Sequence, residues 1–172
     1  MRWSSLRPPP LDAALAGALV VGGLVEAALI QTVRPPAIHA LVTAVVMGSL
    51  AWRRRFPLAV LALVLAGMFA LGDPEGQFVI FAALVIAAYT TGSVLDGPRS
   101  LLGLGLAVGP LAVTLLVEDS EPADLVAVAV LYGGAWVVGR LVRERSRRAE
   151  QLEERSARLE RERDEQARRA VA

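Results

Sequence analysis

Six apolar segments, each about 16 to 23 residues long, make up most of the sequence before residue 143. They are separated by clusters of proline, glycine and charged residues, namely RPP at 34–36, RRRFP at 53–57, DPEGQ at 73–77, DGPRS at 96–100 and EDSEPAD at 118–124. Apolar runs near this length fit the roughly 30 Å hydrocarbon layer of a bilayer, and a soluble core does not need them. The sequence therefore predicts an all-α, polytopic membrane helix bundle with about six spans, at about 11–33, 37–52, 57–72, 77–95, 100–117 and from 123 onward.

The arginines between these segments set the expected orientation, because cytoplasmic loops of membrane proteins carry an excess of basic residues. With six spans, one side carries the arginines of the tail together with Arg2, Arg7, Arg53, Arg54, Arg55 and Arg99. The other side carries Arg34 and the acidic residues Asp73, Glu75, Glu118, Asp119, Glu121 and Asp124. We expect a multi-pass protein of the plasma membrane with both termini in the cytoplasm. Its predicted units are a transmembrane bundle at 1–142 and a cytoplasmic coiled-coil helix at 143–172.

The tail differs sharply from the rest of the chain, with 10 Arg and 8 acidic residues among its last 30 positions. Leu152 and Leu159 fit the d positions of a heptad. The remaining residues of the predicted seam occupy the a positions, namely Ala149, Ser156 and Arg163. Oppositely charged flanking residues would pair across a parallel dimer, as Arg148 with Glu153 and Arg155 with Glu160. Acid-first pairs four residues apart support the helix itself, namely Glu144–Arg148, Glu154–Arg158 and Glu165–Arg169.

This predicted seam is weak, because two leucines with small and polar neighbours do not hold a free dimer together. The membrane bundle would have to supply the remaining association free energy of a parallel homodimer. A coiled coil near balance can change register or rotation at a small free-energy cost, which suits a transmitter between two states. The alternative is a single solvated helix with many intrahelical ion pairs.

Glu26 is the one ionisable residue well inside an apolar segment, where a carboxylate is costly unless it is protonated or paired. It is therefore the candidate for intramembrane sensing. The alternative is a hydrogen-bonded acid in the bundle interior, or one close enough to the outer surface to reach water. His39, the single histidine, is a poor metal ligand without nearby carboxylates but could act as a pH sensor.

Small residues at helical spacing mark candidate helix-packing positions. Gly105 and Gly109 form a G-x-x-x-G pair, and Ala135 with Gly139 forms a second small-x-x-x-small pair in the last span. Such residues let helices approach closely. Two hydroxyl residues of the fourth segment are expected to hydrogen-bond to their own helix backbone, Thr90 and Thr91.

Several function classes find no support in the sequence. There is no cysteine, which excludes disulfides, thiolate catalysis and Cys-based metal sites. No P-loop, nucleophile elbow or paired carboxylates occur, so no catalytic residue, cofactor or metal is predicted. The tail interleaves acids with arginines and lacks aromatic residues, which makes it a poor nucleic-acid arm. The expected partners are the lipid bilayer and a second copy of the chain.

Three stretches resemble the N-terminal part of bacterial two-component sensor histidine kinases of the nitrate- and desaturase-regulator type, common in high-GC Gram-positive bacteria. They are AWRRRFPLAVLALVLAG at 51–67, AAYTTGSVLDGPRS at 87–100 and RSRRAEQLEERSARLERERDEQARRAVA at 145–172. In that family the charged helix continues into a phosphoacceptor helix with an E-L-H-D type box, followed by an ATP-binding domain. Neither follows here before Ala172.

The resemblance implies a membrane sensor and transmitter whose kinase core is supplied in cis or in trans. Whether the chain has enzyme activity is left open, since its residues include no catalytic site. Two other classes stay possible: a small membrane transporter component, and a membrane scaffold whose tail binds a partner helix. A transporter would need polar groups along a path, for which Glu26 alone is thin support.

Overall fold

The computed structural model describes residues 8–29, 36–71, 78–118 and 120–171, with the side chains of the final helix described as far as Glu162. All regular structure in these residues is helical, which confirms the predicted all-α class. The α-helices are α1 Pro10–Leu29, α2 Pro36–Ser49, α3 Pro57–Leu71, α4 Phe78–Val94, α5 Gly97–Val117, α6 Pro122–Val128 and α7 Gly134–Val171. Among the loop residues used for the predicted orientation, six lie outside the described residues: Arg2, Arg7, Arg34, Asp73, Glu75 and Asp119.

Proline places the beginnings of most helices. Four helices begin at a proline, namely at Pro10, Pro36, Pro57 and Pro122. Proline suits the first helical position because an N–H group there would have no partner within the helix, and because the φ of proline is already helical. In α5, proline follows Gly97, whose φ of 52° lies in the left-handed region that favours glycine. The sharp turn between α4 and α5 depends on this residue.

The last helix is continuous from the apolar part of the chain into the charged part, as the sequence predicts. Helix α6 passes through a π-helical turn at Ala129–Gly133 into α7, which extends to Val171. Tyr132, in the π turn, is buried. A π turn shifts the helix face by one residue, so the residues before and after it present different faces to the bundle.

Helix α4 occupies the centre and packs against α1, α3, α5 and α7. Its buried residues are Ile80, Ala83, Leu84, Ala87, Ala88, Thr90, Thr91 and Gly92. The other walls of the core come mainly from α2 and its 3₁₀ extension at Leu50–Trp52 and from α3, through residues such as Val46, Met47, Leu50, Leu61 and Val64. Helices α1 and α2 also pack against each other.

The outer surface of the bundle is largely apolar. Large hydrophobic side chains are exposed on α1, α2, α5 and α7, including Val21, Leu41, Leu102, Val113 and Leu141. Continuous apolar surface of this kind is unusual for a soluble monomer. Among the residues that the structure describes, three helices are long and apolar enough to cross a membrane, at Pro10–Leu29, Gly97–Val117 and Pro122–Glu162. The same residues include three shorter apolar helices, at Ala37–Trp52, Pro57–Leu71 and Phe78–Val94.

Candidate functional site

One end of the bundle is held by a buried carboxylate that the sequence analysis did not single out. Asp12, in the first turn of α1, has a side chain that is 1% exposed. Its Oδ1 lies 2.7 Å from Arg53 Nη2, and its Oδ2 lies 2.7 Å from Arg54 Nε. These ion pairs connect the beginning of α1 to the turn after α2. The single carboxylate therefore holds two of the three arginines in the RRRFP cluster.

A second carboxylate at the same end connects the α4–α5 turn to α7. Asp96 forms ion pairs with Arg143 and with Arg147, the latter at 2.8 Å. Arg143 also donates from Nη1 to the carbonyl oxygen of Ser93 at 3.1 Å. The charged part of α7 is thus attached to the bundle by side chains that bridge about 50 residues of sequence.

Polar contacts also join α4, α5 and α7 inside the bundle. Trp136 on α7 donates from Nε1 to the Ser100 carbonyl oxygen at 2.9 Å and lies 3.0 Å from Ser100 Oγ. Ser100 is buried against α4, where Thr91 donates to the Ala88 carbonyl oxygen at 2.8 Å. Thr90 donates in the same way to the Ile86 carbonyl oxygen at 2.7 Å. The expected back-bonding of both threonines is confirmed.

Helices α4 and α7 approach each other through two glycines. A Cβ at Gly139 would lie 2.2 Å from the Tyr89 carbonyl oxygen, and a Cβ at Gly92 would lie 2.2 Å from the Trp136 carbonyl oxygen. Neither position has room for a side chain, because the atoms it would meet belong to the backbone. Here α7 is in direct backbone contact with the central helix.

At the opposite end of the bundle, Glu26 contacts the beginning of α4. Its Oε1 accepts a hydrogen bond from the Phe78 N–H, and its Oε2 accepts one from the Val79 N–H at 3.1 Å. The first N–H groups of a helix have no partner within the helix, and a carboxylate satisfies them well. Glu26 therefore acts as a capping group for α4 supplied by α1.

His39 and Thr43, both buried on α2, line a small cavity together with Glu26. The Nδ1 of His39 has no hydrogen-bond partner among the described atoms. The structure thus brings together Glu26 and His39, the two ionisable residues that the sequence analysis named in the apolar segments. No group of three or more potential metal ligands occurs in the described part of the chain.

The remaining predicted packing positions have different surroundings. Ala135 packs against the edge of the core. A Cβ at Gly105 or Gly109 would meet nothing within 4 Å. These two glycines lie on an open face of α5 in the described structure, and their role in helix packing stays a prediction.

The charged helix presents its predicted seam to solvent. Leu152 is 64% exposed and Leu159 is 55% exposed, and Ala149 and Ser156 are exposed as well. Arg163 lies in the helix, but its side chain is outside the described residues. The expected ion pair between Glu144 and Arg148 is present.

Residues 1–146 match a family described as a domain of unknown function, DUF7134. The chain belongs to this family. The DUF7134 domain covers the whole bundle and the beginning of the charged helix, whereas the leucine seam lies beyond it. No curated protein and no solved structure matches the chain.

Within the DUF7134 domain, sequence reasoning missed the residues that join distant elements. Asp12 is the second residue of the first apolar segment, which is a signal that could have been noticed. Asp96 and Arg143 lie in segments already marked as turn and tail, where a charge has an ordinary explanation. Trp136 is the single tryptophan of the last apolar segment, and its hydrogen bond to Ser100 has no local sequence signature.

Proposed function

We propose that this chain is the membrane sensor and transmitter portion of a two-component sensor histidine kinase and works as a parallel homodimer. A signal arising in or at the bilayer changes the packing of the last span. The helix then carries that change through a coiled coil to a kinase core, in cis or in trans. The histidine kinase assignment rests on the sequence resemblance, and the following observations support the transmitter role.

The observation that carries this proposal is the single helix from Pro122 to Val171. Its first part packs on α4 through backbone contacts at Gly92 and Gly139, and its second part leaves the bundle. A continuous helix with one end fixed in a bundle transmits rotation or translation to its other end. The π turn at Ala129–Gly133 gives it a place where the helix face can shift.

The bundle is proposed to cross the plasma membrane six times, with both termini in the cytoplasm. Its apolar outer surface and three long apolar helices support this arrangement. The shorter helices α3 and α4, of 15 and 17 residues, are about 23 and 26 Å long at 1.5 Å per residue. They would suit a slightly thinned bilayer. Four arginines line one cleft at a single end of the bundle, which agrees with the positive-inside rule: Arg53, Arg54, Arg143 and Arg147.

The exposed leucines of α7 support the proposed dimer. Leu152 and Leu159 are exposed in the described part of the chain, so pairing with a second copy would bury them. Two leucines per chain give a weak seam, and the bundle would supply the remaining association free energy of the dimer. To move such a dimer from a 1:99 to a 99:1 distribution, a stimulus must prefer one state by about 5.5 kcal/mol.

Cysteine cross-linking in membranes tests the dimer directly, because the chain has no native cysteine. Leu152→Cys and Leu159→Cys should each form a disulfide-linked dimer under mild oxidation. Glu154→Cys and Arg161→Cys, on the opposite face of the heptad, are the matched controls and should not. Equal cross-linking at all four positions would contradict a parallel seam.

The kinase assignment needs its own measurement. An antibody to residues 145–172 should precipitate, from membranes of the source cells, material that incorporates phosphate from ATP. The label should be acid-labile and base-stable, as expected for phosphohistidine. A labelled band well above 18.2 kDa that the antibody also recognises would place the core in cis, and a labelled co-precipitating band would place it in trans. The absence of any acid-labile label would contradict the histidine kinase assignment.

No specific observation favours either alternative function, a transporter component or a membrane scaffold. A transporter would use Glu26 along a transport path, but both of its carboxylate oxygens accept hydrogen bonds from α4. A scaffold would use the exposed leucines for a different partner helix. The cross-linking experiment separates that case from a homodimer, because a scaffold tail would give no homodimeric disulfide.

A further inference from the structure

A cleft lies at the basic end of the bundle, between the turn after α2, the last turns of α4 and the middle of α7. Four arginines line it, Arg53 and Arg54 from the turn and Arg143 and Arg147 from α7. Tyr89 of α4 also lies on the wall of the cleft. The cleft has a volume of about 370 Å³. That volume is in the range of small-molecule sites.

The carboxylates around the cleft do not balance its cations. Asp12 forms ion pairs with the two arginines of the turn, and Asp96 forms ion pairs with the two arginines of α7. Glu150 is a third carboxylate on the wall of the cleft. Four guanidinium groups therefore face three carboxylates, and Asp12 is turned away from solvent with 1% of its side chain exposed.

Two hydrogen-bond donors without a partner among the described atoms also favour an anion in this cleft. The Nε groups of Arg53 and Arg143 are buried and have no hydrogen-bond partner among the described atoms. They come from opposite walls, one from the turn after α2 and one from α7. Buried donors are normally satisfied, and donors on guanidinium groups are satisfied best by an anion.

We propose that this cleft binds the phosphate group of an anionic phospholipid. Guanidinium groups hold phosphate oxygens with two parallel hydrogen bonds, which a compact ammonium group cannot do. Exposed apolar residues border the cleft on α7, where Leu141 is 51% and Val142 is 43% exposed. They would lie against the lipid's acyl chains. A basic pocket between helices at the cytoplasmic surface of a membrane suits such a headgroup.

A phosphate in this position would contact the bundle and α7 at once, since each supplies two of the arginines. Binding would therefore hold the beginning of the charged helix against the turn after α2. The lipid would then favour one arrangement of α7, a consequence that rests on the proposed transmitter function. The binding itself does not depend on that function and is measured without it.

Native mass spectrometry of the full chain released from detergent micelles measures this binding. The probes are phosphatidylglycerol and phosphatidylcholine with identical acyl chains. The first phosphatidylglycerol molecule should bind about tenfold more tightly than phosphatidylcholine, because both lipids carry one phosphate but the arginines would repel the choline ammonium group of the second. Inorganic phosphate at the same concentration should not displace it, because it lacks the acyl chains.

The informative variant is R54Q/R147Q, whose two side chains are 62% and 55% exposed. It leaves Arg53 and Arg143 to pair with the two aspartates, so the fold should be retained. Phosphatidylglycerol binding should fall about tenfold, to the level of phosphatidylcholine. R99Q/R145Q removes the same charge from exposed positions outside the cleft and should change binding less than twofold.

A second variant keeps the test valid even if the first one unfolds. Ser146→Glu adds a negative charge to the wall of the cleft without touching either ion-paired set, and it should also abolish the preference for phosphatidylglycerol. Gln151→Glu, outside the cleft, is its control. Equal binding of the two lipids, equal losses in variants and controls, or displacement by inorganic phosphate would each overturn the proposal.

Discussion

Glu26 has two explanations that differ in what its carboxylate does. As a capping group for α4, it accepts hydrogen bonds from the N–H groups of Phe78 and Val79. As a sensing group, it would change protonation or partner with the stimulus. The two explanations make different predictions, because a capping role affects stability in every state of the protein.

Glu26→Gln should lower the free energy of unfolding by about 1 kcal/mol, because the amide loses one acceptor and the charge that favours a helix N-terminus. Equilibrium unfolding in mixed detergent micelles measures this. Glu121→Gln is the matched control, since Glu121 precedes α6 and makes no side-chain capping bond. If both variants lost equal stability, the capping role would be wrong. If Glu26→Gln changed signalling without changing stability, the sensing role would gain support.

Asp12 is expected to matter more for stability than Glu26. Asp12→Asn would keep the shape but remove the charge that faces Arg53, whose side chain is only 11% exposed. Breaking a fully buried ion pair costs about 3–5 kcal/mol, and the exposure of Arg54 reduces this to about 2 kcal/mol here. Asp124→Asn, at an exposed position in the first turn of α6, should cost under about 0.5 kcal/mol. Thermal unfolding that gave the same loss for both variants would contradict this role.

At the scale of helices, the contact between α4 and α7 is the connection on which the proposed transmission depends. Gly139→Ala would place a methyl group 2.2 Å from the Tyr89 carbonyl oxygen, and backbone cannot move aside as a flexible side chain can. The substitution should lower stability by about 1–3 kcal/mol and force the two helices apart.

Gly134→Ala is the matched control on the same helix, since a Cβ there meets nothing within 4 Å. It should leave stability unchanged or raise it by up to about 1 kcal/mol, because alanine favours the helix. Unfolding midpoints of the two variants in the same detergent provide the comparison. A Gly139→Ala variant as stable as Gly134→Ala would mean that the helices are not in backbone contact.

The helices themselves could be predicted because their signals are local. Prolines at Pro36, Pro57 and Pro122 mark both the sequence breaks and the observed helix starts. The continuity of the last helix follows from the lack of any breaker between its apolar and charged parts. The π turn at Ala129–Gly133 was not predicted, since its residues favour an ordinary helix equally well and tertiary packing decides between them.

The contacts of the candidate sites could not be predicted in the same way. Asp12 pairs with Arg53 across 41 residues, and Asp96 with Arg143 across 47 residues. Nothing in the local pattern links such partners, because the turn geometry and helix packing that bring them together are properties of the folded chain. Glu26 was identified from its apolar surroundings, but its role at the start of α4 depends on a residue 52 positions away.

At the scale of the whole molecule, polar and apolar groups are distributed as a membrane environment would require. Buried polar residues such as Asp12, His39 and Ser100 lie inside, while leucines and valines cover the outside. The ionic groups lie at two opposite ends of the bundle. Asp12, Asp96 and their arginines lie at one end of α1 and α4, and Glu26 lies at the other. Because the two ends of the bundle differ in this way, labelling each end separately tests the proposed topology.

Single cysteines in an otherwise cysteine-free chain report which end of the bundle faces the cytoplasm. In intact cells, a membrane-impermeant maleimide should label Ser120→Cys, between α5 and α6, but neither Phe56→Cys nor Ser156→Cys. After permeabilisation all three should react, since Phe56 is 53% exposed and Ser156 is also exposed. Phe56 and Ser156 lie on the arginine-rich side of the proposed spans, which the positive-inside rule predicts to face the cytoplasm. If Ser120→Cys and Ser156→Cys reacted from the same side, the helix from Pro122 would not cross the membrane. The tail could then not act as the cytoplasmic continuation of a span.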